Sequence, residues 1–301
     1  MKIIFVAPKT INKDRYKVSF DYGFWNFYLP LKDLGHEVRF FDTSRRGNEE
    51  LQKEIDSFKP DLLFCVMTGS PYYCPDEPWG AIEYARRKNI KTFNWFCDDE
   101  WRFDDFSSRA CFLFDYCSTP EKHFVDRYES IGYKNIMYAT WHSNPDFYTG
   151  WRDDSQKMLH YASFCGAPHG DRESIIKKCE PHLHIGRNLS FEDMIALYSN
   201  SIAGVNFARC SQGGKTQTKA RPFEIAATGA MVITDSFTNA YNCFDDSEFW
   251  VCDSQYDIPG VIDWVYHNPD EAIGIATRGH AKFLQEHTSQ IRMKQVLEFV
   301  S

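Results

Sequence analysis

The sequence predicts an α/β protein built from two Rossmann-like, doubly wound domains, and three observations carry that expectation. Short apolar runs rich in β-branched and aromatic residues alternate with longer amphipathic stretches, the pattern of strand–helix–strand units in a parallel sheet. The alternation breaks around Asn144-Pro-Asp-Phe147 and Trp151-Arg-Asp-Asp-Ser155, where polar, turn-forming residues take over, and then resumes with a fresh apolar run. A length of 301 residues suits two domains of ordinary size better than one small core. The boundary is therefore placed between 152 and 153, giving domains 1–152 and 153–301.

In the first domain the apolar runs place strands at Ile3–Val6, Val38–Phe41, Leu62–Met67, Thr92–Phe96, Phe112–Ser118 and Ile136–Ala139, with helices near Tyr22–Leu34, Glu49–Phe58, Trp79–Lys88 and Pro120–Ile131. Gly35 stands where the first long helix must stop. Lys59-Pro-Asp61 opens a run, Leu62-Leu-Phe-Cys-Val-Met67, that is apolar at every position, as a strand covered on both faces should be. In the second domain strands are expected at Leu159–Phe164, Leu183–Ile185, Ala203–Phe207, Met231–Thr234 and Phe249–Val251, with helices at Arg172–Cys179, Phe191–Ser199 and Pro222–Ala227. From Asp270 onward the pattern is helical. Ile275, Phe283, Leu284, Ile291, Met293, Val296, Leu297 and Val300 supply an apolar stripe for packing back across the lobes.

Composition excludes several classes. A formal net charge of −8 argues against indiscriminate nucleic-acid binding, which needs a surplus of Lys and Arg to displace phosphate counterions. No window approaches the roughly 20 apolar residues of a membrane span, and the opening Met1-Lys-Ile-Ile-Phe-Val-Ala7 reads as a strand, so a soluble, cytoplasmic protein is expected. The 10 cysteines form no C-x-x-C pair, several lie in apolar runs, and they read as reduced core thiols rather than zinc ligands. There is no P-loop and no G-x-G-x-x-G after the first strand. The acidic pairs Asp98-Asp99 and Asp104-Asp105 are not Asp-x-Asp, so no metal site and metal-independent chemistry are expected.

The most informative segment is Lys219-Ala-Arg-Pro-Phe-Glu-Ile-Ala-Ala-Thr-Gly229. Pro222 suits the first turn of a helix and Gly229 its end, which puts Glu224 in the first turn. A carboxylate there can accept both vicinal hydroxyls of a ribose, while Lys219, Arg221 and the helix's leading N–H groups suit a diphosphate. The ordinary structural alternative is that Glu224 complements the helix dipole and pairs with a neighbouring Arg.

This segment resembles the nucleotide-binding signature of GT-B glycosyltransferases, specifically the CgeB-like, spore-maturation-type branch related to glycosyltransferase family 4. Other stretches agree in order: Phe164-Cys-Gly-Ala-Pro-His-Gly-Asp-Arg172, Leu189-Ser-Phe-Glu-Asp-Met-Ile-Ala-Leu-Tyr198, Ala203-Gly-Val-Asn-Phe207 and Glu286-His-Thr-Ser-Gln-Ile-Arg292. The resemblance covers residues 155 to 295 and extends to the first domain only in general plan. It implies two domains facing a cleft, a nucleotide-sugar co-substrate of the UDP- or GDP-sugar kind with no other cofactor, and retention of configuration. It also implies donor contacts from Gly166, Arg172, Lys219, Arg221, Phe223 and Glu224; His169, in the same loop, can hydrogen-bond the diphosphate or sugar, with a solvated loop His as its ordinary alternative. Arg172 and Lys219 or Arg221 then stabilise the diphosphate leaving group, since fixed cations oppose the charge that builds there without reorganising. Arg172 pairing with Asp171 or Glu173 at a helix start is the ordinary alternative. One departure is clear. Family 4 enzymes commonly carry two glutamates in an E-x7-E pattern, and Thr216 occupies the first position. Whatever that glutamate does for the donor sugar must then fall to another group, such as the Gly213-Gly-Lys215 loop.

On the first-domain side, Asn94-Trp-Phe-Cys-Asp-Asp-Glu-Trp101 sets carboxylates directly after a buried strand. Asp98 or Asp99 can there take a proton from an acceptor hydroxyl, Asp98 lying nearer the strand end, and Trp95 or Trp101 can offer an aromatic face to an acceptor sugar. A helix cap that happens to be acidic explains the same residues. Gly23, after the first long loop, matches the place where GT-B enzymes approach donor phosphates or acceptor. His142 is a further acceptor-side candidate, with a structural His as its alternative. The acceptor itself stays open among glycan, lipid, protein and modified nucleic acid. Three functions fit these residues: sugar transfer from a nucleotide donor, epimerisation of a sugar nucleotide on the same plan, and non-catalytic binding of a sugar nucleotide or glycan.

Overall fold

The structure, a computed structural model, describes residues 1–11, 19–69, 77–148, 158–168, 170–209, 215–235 and 243–301. Among these residues two compact units are found. One contains everything up to Thr140 together with Ser289–Ser301, and the other spans Trp141–Thr288.

The first unit is a wound parallel sheet. Its strands are β1 (Lys2–Ala7), β4 (Glu37–Asp42), β5 (Leu62–Cys65), β6 (Lys91–Trp95), β7 (Tyr116–Thr119) and β8 (Ile136–Tyr138), in the order β4-β1-β5-β6-β7-β8, with every neighbouring pair parallel. A small antiparallel pair, β2 (Thr10–Ile11) and β3 (Ser19–Phe20), stands apart from it. The period of two along a strand divides β5 between two cores. Leu63 and Cys65 pack under helices Asn48–Phe58 and Trp79–Arg87, while Leu62 and Phe64 face Phe27, Leu31 and the helix Ser289–Val300. That last helix buries Met293, Val296, Leu297 and Val300 in the first unit, where Lys91 Nζ also donates to the carbonyls of Val300 and Ser301, both at 2.7 Å.

The second unit repeats the plan. Its strands β9 (His160–Cys165), β10 (Leu183–Gly186), β11 (Ser201–Asn206), β12 (Met231–Asp235) and β13 (Trp250–Cys252) run in the order β10-β9-β11-β12-β13, again all parallel. Helices Asp171–Lys178, Phe191–Ser199, Arg221–Ala227, Ile258–His267 and Pro269–Glu286 connect or cover them. Ser190 caps one of these, its hydroxyl accepting from the Asp193 amide at 3.0 Å. Gly35 and Gly229 end their helices at φ of +83° and +79°, where a side chain would be strained.

Several expectations need correction. The expected boundary at 152/153 lies outside the described residues. Among those described the division falls earlier, after Thr140, because the Trp141 indole N–H donates to the Thr218 carbonyl at 2.8 Å and Ser143 bridges to Thr288. The C-terminal helix Ser289–Val300 belongs to the first unit, not the second. The strand expected at Phe112–Ser118 begins only at Tyr116. Before it Cys111 and Phe114 are buried while Phe112 is 50 % exposed, the period of three of the short 3-10 turn Cys111–Leu113. Helix Ile258–His267 went unread. The eight cysteines among the described residues are free, and burial pushes thiols such as Cys179 and Cys252 up to about 12, as expected of inert core residues. No helix among the described residues is long and apolar enough to cross a membrane.

A cationic cavity at the switch point of the second sheet

In the second sheet β9 carries β10 on one side and β11 on the other, so the winding reverses between β9 and β11. Open α/β sheets offer a ligand crevice beyond the carboxyl ends of their strands at such a point. A cavity of about 270 Å³ lies there. Phe164, Cys165 and Gly166 from the end of β9 line it, with Val205, Asn206 and Phe207 from the end of β11. Arg172 from the first turn of Asp171–Lys178, and Lys219, Ala220, Arg221 and Glu224 at the start of Arg221–Ala227, complete the wall.

Three cations thus face one carboxylate. Lys219 Nζ donates to the carbonyl oxygens of Phe207 at 2.6 Å and Arg209 at 3.0 Å. Arg172 donates to the same Arg209 carbonyl and lies 5.2 Å over the Phe207 ring. For Arg172, whose expected alternative was a pairing with Asp171 or Glu173, the structure shows this carbonyl contact at the cavity wall. Arg221 Nη1 pairs with Glu224 at 3.0 Å, and the charge of Glu224 raises the Arg221 pKa further despite the opposing cost of burial. Glu224 is 4 % exposed, and its second oxygen accepts from the Tyr148 hydroxyl at 3.2 Å. The Arg-paired state of Glu224 and its place in the cavity wall therefore coexist. Held by two donors on a short buried helix, the carboxylate costs little further entropy to order around a ligand.

The structure brings together Gly166, Arg172, Lys219, Arg221 and Glu224, and it does not bring the rest. Phe223 is 1 % exposed and packs on Phe244 and His287 at ring distances of 5.7 and 5.3 Å, because its helix turns that face inward; it makes no cavity wall. Lys215 is exposed and not among the lining residues. His169, Gly213 and Gly214 lie outside the described residues.

In the first unit the acceptor-side residues are mostly interior. Trp95, the last residue of β6, is fully buried, with Phe27 edge-on at 5.0 Å, so it has no face for a sugar. Asp99 is 1 % exposed, bonded by the hydroxyls of Tyr128, Thr119 and Ser107, and burial raises its pKa to about 6. A carboxylate so enclosed does not meet an acceptor hydroxyl. Asp98 remains half-buried at the start of helix Asp99–Arg102, where its carbonyl accepts from the Trp101 and Arg102 amides. Trp101 is half-buried beside the Arg102 guanidinium, 5.2 Å from its ring. Gly23 is buried in the first unit with its amide donating to Asp21 at 3.1 Å. A Cβ added there would meet Phe5 at an ordinary 3.5 Å, so no close approach requires the glycine. His142, in the second unit, is fully buried and not a surface contact. Glu100 and His123 do pair, at 2.9 Å, and with Glu121 they place three ligand-type atoms within 4.8 Å of one another, a grouping the sequence did not suggest.

Sequence reading also missed Tyr148, Asn206 and Asp235. Asn206 donates to the Thr234 hydroxyl at 2.9 Å, and the Asp235 carboxylate accepts from the Ala208 amide at 2.5 Å. Position at a strand's carboxyl end was the available signal for the last two. Tyr148 gave none, since its partner lies 76 residues away.

Comparison with known proteins shows the family and the fold. Residues 142–298, nearly all of the cavity-bearing unit and most of the helix Ser289–Val300, match the family model described as glycosyl transferase-like. Among solved structures, the Anabaena protein Alr3699/HepE in complex with UDP and glucose matches at a TM-score of 0.65 and 10 % identity, covering 99 % of this chain and 98 % of that one. A glycosyltransferase from Rickettsia africae ESF-5 matches at 0.64 and 11 % identity, covering 99 % and 97 %. A UDP-N-acetylglucosamine 2-epimerase matches at 0.58 and 11 % identity, covering 99 % and 95 %. At these identities the likeness is one of fold, and the fold is GT-B. No curated protein matches the chain in sequence.

Proposed function

This chain belongs to the glycosyl transferase-like family, and we propose that it moves a sugar from a nucleoside diphosphate donor, seated in the second-unit cavity, to a separate acceptor. The observation that carries the reading is the convergence of Arg172, Lys219, Arg221 and Glu224 on one cavity at the topological switch point. In the transfer the acceptor oxygen bonds to the anomeric carbon and the anomeric carbon–oxygen bond to the β-phosphate breaks. The electron pair leaves on phosphate, and the acceptor proton passes to a base. Arg172 and Lys219 oppose the charge that develops on the departing diphosphate, and Glu224 takes the ribose hydroxyls.

With two cations already aimed at the diphosphate, the step is proposed to run without a metal. A uridine donor is favoured because HepE, of the same fold, is solved with UDP and glucose; a guanine donor would be the other expectation. Membership of the CgeB-like branch and retention of configuration follow from the sequence resemblance and are proposed with it, as is transfer of a hexosyl or pentosyl group; a cytoplasmic setting is proposed from the cysteines, which read as reduced core thiols. Inversion would require a general base, for which Asp98 is better exposed than Asp99. Epimerisation is the second reading, supported by the fold match to a UDP-N-acetylglucosamine 2-epimerase.

A thermal-shift series with UDP, GDP and their sugars tests the donor site, because a ligand that binds only the folded state raises its melting temperature by mass action. A rise with one base is expected, and no rise with any sugar nucleotide would sink the proposal. Isomerisation of the donor without an acceptor would favour the epimerase. Binding with neither transfer, hydrolysis nor isomerisation would favour a non-catalytic binder, consistent with Thr216 at the first position of E-x7-E.

A further inference from the structure

Both diphosphate cations lean on one short stretch, 207–209, and share the Arg209 carbonyl. Lys219 donates to the carbonyls of Phe207 and Arg209, and Arg172 to that of Arg209. The stretch 207–209 follows β11, beyond its last paired residue, Asn206, which lies opposite Thr234 of β12. It is held at its centre. The Ala208 carbonyl accepts from the Gln217 amide at 3.2 Å, and the Ala208 amide donates to Asp235 Oδ1 at 2.5 Å. Asp235 is the last residue of β12, is 5 % exposed, and is not among the residues that line the cavity. Its carboxylate thus extends the β11–β12 coupling one residue past the ladder, to the segment whose carbonyls set both cations. Its charge is also attracted to Lys219 and Arg172.

We infer that Asp235 is a positioning residue for the donor diphosphate, acting through the Ala208 amide to hold the 207–209 carbonyls on which Lys219 and Arg172 rest. The inference rests on the donor reading above. Loss of the carboxylate releases a buried amide and lets that segment relax, so the cations lose their aim while the rest of the cavity keeps its shape.

The test compares UDP and UMP binding by calorimetry, or GDP and GMP if the parent prefers guanine, on the full chain and on Asp235→Ala and Asp235→Asn variants. The parent should prefer the diphosphate. Asp235→Ala should weaken diphosphate binding about tenfold and leave the monophosphate nearly unchanged, since a charge-assisted bond is at stake and not the nucleoside contacts. Asp235→Asn, whose amide oxygen can still accept from Ala208, should keep the diphosphate preference within about threefold. If the parent binds no nucleotide, the donor reading fails and this inference falls with it. If the parent binds and Asp235→Ala keeps the full preference, the positioning role alone is overturned. It is overturned equally if the Ala variant loses both ligands together, as a merely structural residue would, or if the Asn variant is as impaired as Ala.

Discussion

The two sheets are wound alike and finish in opposite chemistry. Beyond the carboxyl ends of β5 and β6 in the first unit stand acids, and they turn inward. Glu77 accepts from the Thr68 and Gly69 amides at 2.9 and 3.0 Å, and Asp99 sits among three hydroxyls, with Phe96 stacked on the ring of its partner Tyr128. Burial raises the pKa of both acids. Beyond the ends of β9 and β11 in the second unit stand cations, anchored by backbone carbonyls and lining a cavity. The same topology thus presents strand ends twice, and the side chains that stand beyond them differ: buried acids among the described residues of the first unit, cavity-lining cations in the second. Fold alone does not name the site.

The comparison can be broken most forcefully at Trp95. Trp95→Ala should cost about 3–5 kcal/mol, as a fully buried aromatic does, read by urea unfolding. A variant that kept its stability but lost transfer would make the first edge a substrate surface after all. In the second unit, Lys219→Ala should leave unfolding nearly unchanged and lower kcat/KM for the donor by about 100- to 1000-fold, the usual loss when one fixed charge-stabilising donor is removed. Unchanged kinetics would remove the electrostatic half of the contrast.

A third test uses pH. The Asp99 carboxyl is raised from 3.8 to about 6 in the folded chain. Below the unfolded value both states are protonated and this group's contribution to stability is at its highest. As pH climbs from about 4 to 6 the unfolded chain ionises first, and up to about 3 kcal/mol is lost, with no further loss from this group above that window. Urea midpoints in the parent should show that decline and in Asp99→Asn should not; equal slopes would mean the buried acid is not the cause. The smallest effect is expected at Tyr148→Phe. It removes one hydroxyl from Glu224 while Arg221 stays, so donor affinity and stability should each fall by about 1 kcal/mol. A much larger fall would make Tyr148 a ligand contact in its own right.

Much of the fold was legible because strands and helices announce themselves in periodicity. Helix Phe191–Ser199 was read with its observed bounds, and the strands of both sheets were placed within a few residues, Phe112–Ser118 excepted. Two residues of the candidate site turn inward for one reason. Trp95 and Phe223 are large aromatic residues near plausible ligand loops, but a strand or helix covered on both faces shows no alternation to say which side meets solvent. Their burial comes from distant partners: Phe27 for Trp95, and Phe244 and His287 for Phe223.

The sequence by itself determined the α/β winding and the composition of the donor segment, with Pro222 opening a helix, Glu224 in its first turn and Gly229 closing it. Those features depend on neighbours two to four residues apart, which any reader of the chain can see. Only the tertiary structure decided that Arg172 and Lys219 share the Arg209 carbonyl, that Tyr148 reaches Glu224, and that the last helix completes the first unit's core. Such meetings are selected by burial and hydrogen-bond satisfaction between segments tens to hundreds of residues apart, and local pattern carries no record of which partner wins.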